Sequence, residues 1–284
     1  VNQVLTTVKR SVRDGVARLG LADSAFWLYG MASRANPSSI RANARYRRDG
    51  APDQLPIPPA DLIFLVAGSA DISWFLKAGD MAADSLTGAL RARGVKVEEL
   101  GSILDFGCGC GRVLRHWHSL PRTRICGVDY NAALIEWCRV NLPFAEVRIN
   151  QLSPPLPYGD AEFDLVYALS VFTHLTEDLQ VSWLEELSRV VKPGGHVVIS
   201  THGEAYLHRL NEQERKRFAT GRLVVKNNTK VPGSNMCSAY HPTAFVRDTM
   251  AAGLELVDFL REGAKGNPKQ DLYLLRKPGL ALRS

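Results

Sequence analysis

The chain has 284 residues, of which 45% are hydrophobic, 23% charged and 8% aromatic, and its formal charge is +6. This length and balance predict a soluble globular protein, and no run approaches the ~20 apolar residues needed to cross a bilayer. Five scattered cysteines (Cys108, Cys110, Cys126, Cys138, Cys237) fit neither a disulfide framework nor a zinc site. With no signal-type apolar core at the start, they predict a cytoplasmic protein.

The charge is localised. Residues 1–50 carry nine basic and three acidic side chains, so this segment nets +6 and the remainder is neutral. Val1, Leu5, Val8, Val12, Val16 and Leu19 recur at steps of three or four, which predicts an amphipathic helix. Arg41, Arg45, Arg47 and Arg48 follow. Two readings of this basic arm stand: peripheral contact with an anionic membrane at its inner face, or docking on the body with the basic face solvated. Four prolines within 52–59 predict an extended strap closing the N-terminal segment, 1–59. A helical region over 60–93, interrupted at Gly68-Ser69, opens the main domain, 60–284, and the stretch 66–74 is placed to lid a ligand site.

From residue 100 short apolar runs alternate with helical patterns. Strands are expected at 102–106, 124–128, 146–150, 163–169, 196–201, 254–260 and 271–276. Helices are expected at 131–141 and 177–191. Alternation of this kind predicts an α/β fold with a mostly parallel sheet and helices on both faces. The connection 261–270 is too short for a crossover helix, so the last two strands should pair antiparallel. Between the fifth and sixth strands, residues 202–254 exceed one crossover. They contain a charged helix at 204–218, a hairpin around Asn227-Asn228, the segment 235–242 and a helix beginning near Pro242. A long insertion on this rim is expected to shape an acceptor pocket.

The most informative segment is Ile103-Leu-Asp-Phe-Gly-Cys-Gly-Cys-Gly-Arg-Val-Leu-Arg115, an apolar strand, three alternating glycines and the start of a helical pattern. Glycine serves where a turn needs positive φ or where backbone must lie against a ligand. The next strand ends at Asp129, 18 residues beyond Gly111, where an acid can accept from both ribose hydroxyls. Three ligand readings compete with a plain strand-to-helix turn. A Walker loop needs a Gly-Lys-Ser/Thr ending, and a dinucleotide turn needs G-x-G-x-x-G. The third reading is an adenosyl ligand without phosphate. Cys108 and Cys110 fill the x positions, where small side chains fit; no partner base marks either as a nucleophile.

Asp105-Phe-Gly-Cys-Gly-Cys-Gly111 resembles the first motif of class I S-adenosylmethionine-dependent methyltransferases, and Gly127-Val-Asp129 resembles their second. Residues 156–167 are similar to the segment leading into their fourth strand, and 190–195 to the turn before their fifth. The nearest flavour is the bacterial type 11/12 group acting on small molecules or glycans, many of which carry a pattern similar to Val171-Phe-Thr-His-Leu175. The resemblance implies a Rossmann-like seven-stranded sheet of order 3-2-1-4-5-7-6 with strand 7 antiparallel, preceded here by an N-terminal helical extension. It also implies S-adenosyl-L-methionine as cofactor, held by Asp105, Gly107, Cys108, Gly109, Gly111, Asp129, Tyr130, Asn150, Gln151, Leu152 and Ser170. In this assignment Asp129 binds the ribose and Tyr130 packs on adenine. Asn150-Gln151-Leu152 stands where many relatives have an Asp for the adenine amino group.

Methyl transfer relies mainly on alignment, worth ~7 to 11 kcal/mol, against ~3 to 5 kcal/mol for a general base. Candidate bases or acceptor-site residues are therefore loop residues near the strand ends: His174, His202, Tyr240 and His241. The expected acceptor is a small molecule, sugar or glycolipid methylated on oxygen, and no metal is expected. A nucleic-acid methyltransferase is the first alternative, prompted by the arginines. The D/N-P-P-Y/F element of amino-directed enzymes is replaced here by Ala168-Leu-Ser-Val-Phe172, and no stable nucleic-acid partner is expected. An NAD-dependent oxidoreductase is disfavoured by the glycine spacing. A non-catalytic module that only binds the cofactor is the remaining alternative.

Overall fold

The computed structural model describes residues 37–227, 237–266 and 269–279. The helix expected over residues 1–20, the hairpin turn at Asn228, and Asn235 and Met236 lie outside the described residues.

Strand β1 (Ser102–Phe106) is buried along its whole length, as a central parallel strand covered on both faces must be. Around it lie β2 (Arg124–Asp129), β3 (Ala145–Ile149), β4 (Phe163–Ala168) and β5 (Val191–His202), all parallel. A two-stranded hairpin of β6 (Val224–Asn227) and β7 (Cys237–Tyr240) stands outside the main sheet, so strands do form on either side of the expected turn. β8 (Glu255–Ala264) and β9 (Gln270–Arg276) complete a seven-stranded sheet of order β3-β2-β1-β4-β5-β9-β8. β9 runs antiparallel to both β5 and β8. The order and the reversed last strand are those the family resemblance implies, and the short final connection predicts the antiparallel pairing of the last two.

Alternate side chains serve opposite layers. Leu104 and Phe106 point into one core with Trp183, Leu184 and Leu187 of helix α5 (Glu177–Val190). Ile103, Tyr167 and Val198 point into the other, with Leu86 and Leu90 of α3 (Ile72–Arg91) and Ile135 of α4 (Ala132–Asn141). Two expected helices differ. The helical pattern after the glycines yields only a short 3-10 turn, Leu114–Trp117. Helix α3 already occupies that face: a Cβ on Gly79 would come within 2.4 Å of the Arg112 carbonyl. The charged helix at 204–218 is broken into a 3-10 segment, Glu204–Arg209, and α6 (Glu212–Ala219). Asn211 starts α6 afresh through a capping box, accepting from Glu214 N at 2.9 Å while Glu214 Oε2 accepts from Asn211 N at 2.8 Å.

The N-terminal elements are docked on this sheet. Helix α1 (Pro37–Asp49) is pinned by Asn43, whose Nδ2 donates to the Ala70 carbonyl at 2.7 Å and whose Oδ1 accepts from Ile72 N at 2.9 Å. Helix α2 (Ala60–Ala67) ends at Gly68, with φ +65, and α3 follows after a short turn capped by Asp71. The proline strap is anchored rather than free. Arg115, 1% exposed, makes a two-pronged ion pair with Asp53 at 2.5 and 2.8 Å and also donates to the Leu55 carbonyl. Removing one partner of such a pair leaves a buried charge without its counterion. Replacing Asp53 by Ala is therefore expected to lower the unfolding free energy by about 3 kcal/mol in urea titrations.

Candidate active site

The carboxyl ends of β1, β2 and β4 open onto a cleft of about 340 Å³. Its floor is the glycine turn. Gly107 and Gly109 have φ of +79 and +57, and their missing side chains leave room for neighbours. A Cβ at 107 would sit 2.4 Å from Val171 Cγ2, and one at 109 would sit 2.7 Å from Val66 Cγ2. Both valines line the cleft, so the glycines let the walls close onto the floor. Gly111, also at positive φ, does not line the cleft. Its missing Cβ makes way for Leu142 Cδ1 beneath the turn, a packing role.

Asp129 is the acid of the site. Its Oδ2 accepts from Gly109 N at 3.0 Å and its Oδ1 from Asn131 N at 2.9 Å, so one carboxylate ties the glycine turn to the start of α4. A carboxylate offers about four acceptor positions, and this one also lines the cleft. Burial raises its pKa, against the bonds from Asn131 and Gly109. Burial also lifts Asp105 to about 7, despite its hydrogen bond with Tyr167 and the neighbouring Arg112 guanidinium. The Tyr167 hydroxyl in turn accepts from Trp117 Nε1 at 2.8 Å, so Asp105 heads a buried polar chain. Arg112 lines the cleft while donating to the carbonyls of Ala78 and Gly266. Sequence reasoning missed it; the available signal was a cation placed directly after the third glycine.

The other expected cofactor residues converge on the same cleft. Cys108, Tyr130, Asn150, Gln151, Leu152 and Ser170 all line it. The neighbouring Cys138 thiol and burial push the Cys108 thiol well above its usual range, which makes it inert packing. Asn150 N donates to the Asp129 carbonyl at 3.2 Å, and Trp183 Nε1 donates to the Leu152 carbonyl at 2.9 Å, fixing that wall to α5. Ser170 has φ +65, a strained region for a side-chain-bearing residue. A closed ring of bonds holds it there. Ser170 N donates to Ser200 Oγ (2.7 Å), Ser200 Oγ to Gln270 Oε1 (2.8 Å), and Gln270 Nε2 back to Ser170 Oγ (2.9 Å). Ser200 and Gln270 carry no sequence signal for this role.

Of the four candidate catalytic residues only His174 lines the cleft. Its Nδ1 donates to the Cys237 carbonyl of β7 at 2.9 Å, which leaves Nε2 of the neutral ring as an acceptor. Burial keeps its pKa below the usual value, so the ring is neutral at pH 7. His202, His241 and Tyr240 are buried instead: Tyr240 ends β7, His241 follows it, and His202 Nδ1 donates to the Ala239 carbonyl of β7 at 3.2 Å. His202 packs against Tyr206 at 4.0 Å between ring centroids and is held down to about 2 by burial, with His174, His241 and Arg209 nearby. His241 Nε2 donates to Gln180 Oε1 at 3.1 Å. Gln180 itself donates to the carbonyls of Phe172 and Leu175, so these residues buttress the turn carrying His174. Tyr240 belongs to a small apolar cluster with Leu210 and Phe218. Among the described residues no cluster of metal-ligating side chains occurs.

Residues 104–199 match a protein family described as a methyltransferase domain. A probable S-adenosylmethionine-dependent methyltransferase of Mycolicibacterium smegmatis is 33% identical over 99 residues, covering 35% of this chain and 37% of that protein. A malonyl-[acyl-carrier protein] O-methyltransferase of Hahella chejuensis is 33% identical over 101 residues, covering 35% and 36%. A probable tRNA methyltransferase 9B of Mus musculus is 29% identical over 127 residues, covering 44% and 26%. Each match thus spans well under half of the curated relative. Among solved structures, Streptomyces venezuelae DesVI superposes with a TM-score of 0.53 at 17% identity, covering 79% of this chain and 100% of that one, a likeness of fold. Residues 104–199 thus match a methyltransferase domain, and S-adenosylmethionine-dependent methyltransferases are among the proteins this segment is similar to. The residues lining the cleft suit that cofactor: a glycine floor, the Asp129 carboxylate and several apolar side chains.

The buried histidines make a measurable prediction. His241 titrates at about 3 in the folded chain and near ~6.5 when unfolded, so its stabilising contribution is present above pH ~6.5 and is lost as the pH falls toward 3. Between pH 7 and pH 5 the native protein should lose ~2 kcal/mol more unfolding free energy than His241→Gln, which keeps a donor for Gln180. Parallel urea titrations at the two pH values measure the difference.

Proposed function

We propose that this protein is an S-adenosylmethionine-dependent methyltransferase that transfers its methyl group to an oxygen of a small-molecule, sugar or glycolipid acceptor. The observation that carries the reading is the convergence of the Asp129 carboxylate, the Gly107–Gly109 floor and the His174 imidazole on one cleft. S-adenosylmethionine supplies a methyl carbon on a sulfonium leaving group. Asp129 accepts from the ribose hydroxyls, Asn150 from the adenine amino group, and Tyr130 and Leu152 flank the adenine. The backbone at Gly107 and Gly109, with Asp105, receives the methionine part. His174 Nε2 takes the proton of the acceptor hydroxyl, and the Cys237 carbonyl fixes the tautomer that allows it. Val66 and Val171 exclude water from the reacting end.

Support for oxygen as the acceptor atom comes from that neutral imidazole and from the O-methyltransferase among the relatives. The basic arm extends the reading: Arg41, Arg45, Arg47 and Arg48 on α1 are all exposed, in position to meet an anionic membrane surface where a lipid-linked acceptor would be presented.

Three measurements test this. Asp129→Ala should weaken S-adenosylmethionine binding about 100-fold or more by calorimetry while the far-ultraviolet dichroism stays native; unchanged binding would refute the assignment. His174→Ala should lower kcat about 10²- to 10⁴-fold with cofactor affinity retained. Flotation with anionic liposomes should fall when the four α1 arginines are replaced by Gln, and equal flotation would remove the membrane contact.

A further inference from the structure

The hydrogen-bond ring behind Ser170 has a fixed direction. Because β9 runs antiparallel to β5, its first residue, Gln270, stands beside His202 at the carboxyl end of β5, the same end of the sheet as the cleft. The backbone N–H of Ser170 can only donate, so Ser200 Oγ accepts from it at 2.7 Å. Ser200 is fully buried, and its own proton needs an acceptor, which Gln270 Oε1 supplies at 2.8 Å. With the amide turned the other way, Ser200 Oγ would accept twice and its proton would be stranded in the core. The orientation is therefore set, and Gln270 Nε2 donates to Ser170 Oγ at 2.9 Å. The Ser170 hydroxyl is an acceptor in this ring and keeps its own proton. Thr173 Oγ1 is 3.5 Å away, the outer limit of a hydrogen bond, and Thr173 commits its proton to the Ser170 carbonyl at 2.9 Å. Ser170 lines the cleft, so the ring presents a proton there.

The group that takes this proton follows from what the glycine turn does not offer. Gly107 N and Cys108 N both donate to the Val128 carbonyl, Gly109 N to Asp129 and Gly111 N to the Cys108 carbonyl. Arg112 turns Nη1 to the carbonyls of Ala78 and Gly266. Tyr130 and Ser170 are the hydroxyl-bearing side chains among the described residues that line the cleft, and Tyr130 flanks the adenine in the proposed reading. The turn that carries Ser170 lies on the floor itself, because Val171 Cγ2 occupies the space of a Cβ at Gly107. Ser170 therefore stands at the part of the cleft assigned to the methionine end of the cofactor. That end carries an ammonium, which the Asp105 carboxylate can meet, and a carboxylate, which needs donors. We infer that Ser170 Oγ–H donates to the methionine carboxylate, and that Gln270 is the positioning residue that holds the hydroxyl in this polarity. This rests on the methyltransferase reading and deepens its cofactor site.

Calorimetry with S-adenosylhomocysteine and its decarboxylated counterpart, which keeps the amine, separates this role from packing. In the full chain Ser170→Ala should weaken S-adenosylhomocysteine about tenfold or more and the decarboxylated compound less than about threefold. Ser170→Gly, which suits the positive φ, should do the same. Gln270→Glu keeps the shape of the amide and reverses its polarity: both oxygens accept, so the Ser170 proton turns inward. It should reproduce the selective loss, and the double variant Ser170→Ala/Gln270→Glu should lose no more than the larger single loss. Multiplied losses in the double variant would overturn the role of Gln270. Equal losses for the two compounds would overturn the inference and leave the methyltransferase reading standing. So would S-adenosylhomocysteine affinity within about threefold of the native chain in both Ser170 variants. Failure of the native chain to bind either S-adenosylmethionine or S-adenosylhomocysteine would overturn the reading beneath it.

Discussion

The carboxylate of Asp129 holds the cleft together. One oxygen fastens the glycine turn after β1 and the other fastens the first turn of α4, so two loops from neighbouring strands share one anchor. Each such charged bond is worth about 1.5 to 3 kcal/mol, several times the margin of an ordinary surface contact. The same group lines the cleft. In the proposed reading a bound ribose would meet an acceptor already fixed in place.

Around that anchor the N-terminal elements complete the cleft rather than decorate it. The Cys110 thiol meets the Leu62 carbonyl of α2, and Val66 presses onto the space a side chain at 109 would fill. The strap that delivers α2 is clamped by Asp53 on Arg115, a residue belonging to the glycine turn's own 3-10 segment. Strap, α2 and glycine turn are therefore mechanically continuous. On the other side the β6–β7 hairpin reaches in through the Cys237 carbonyl to set the tautomer of His174. These two additions bring Leu65 and Val66 to the cleft and fix the His174 ring that lines it.

The sheet was legible in the sequence because its central strands are buried on both faces and so read as short apolar runs between amphipathic stretches. The glycine turn and Asp129 were legible because positive φ and close packing restrict residue type strongly. The helical pattern after Gly111 misled, since whether residues 112–117 wind into a full helix depends on α3 lying against the Arg112 carbonyl, a contact no local pattern encodes. His202, His241 and Tyr240 stand near strand ends, as loop chemistry would require, yet all three are buried in the packing around the hairpin and act as supports. His174 and those three were indistinguishable in one dimension. Ser200 and Gln270 were invisible for a related reason: their role is to hold Ser170 in a strained conformation, and that ring closes across three strands far apart in the chain.

The central claim is that this cleft is built for an adenosyl ligand carrying a methionine and no phosphate. Calorimetric titration of the intact chain with S-adenosylmethionine, S-adenosylhomocysteine and NAD tests it most directly. The account predicts saturable binding of the first two at one site per chain, with affinities at least about 100-fold above that for NAD. Equal or tighter binding of NAD, or no binding of either adenosyl compound, would contradict it.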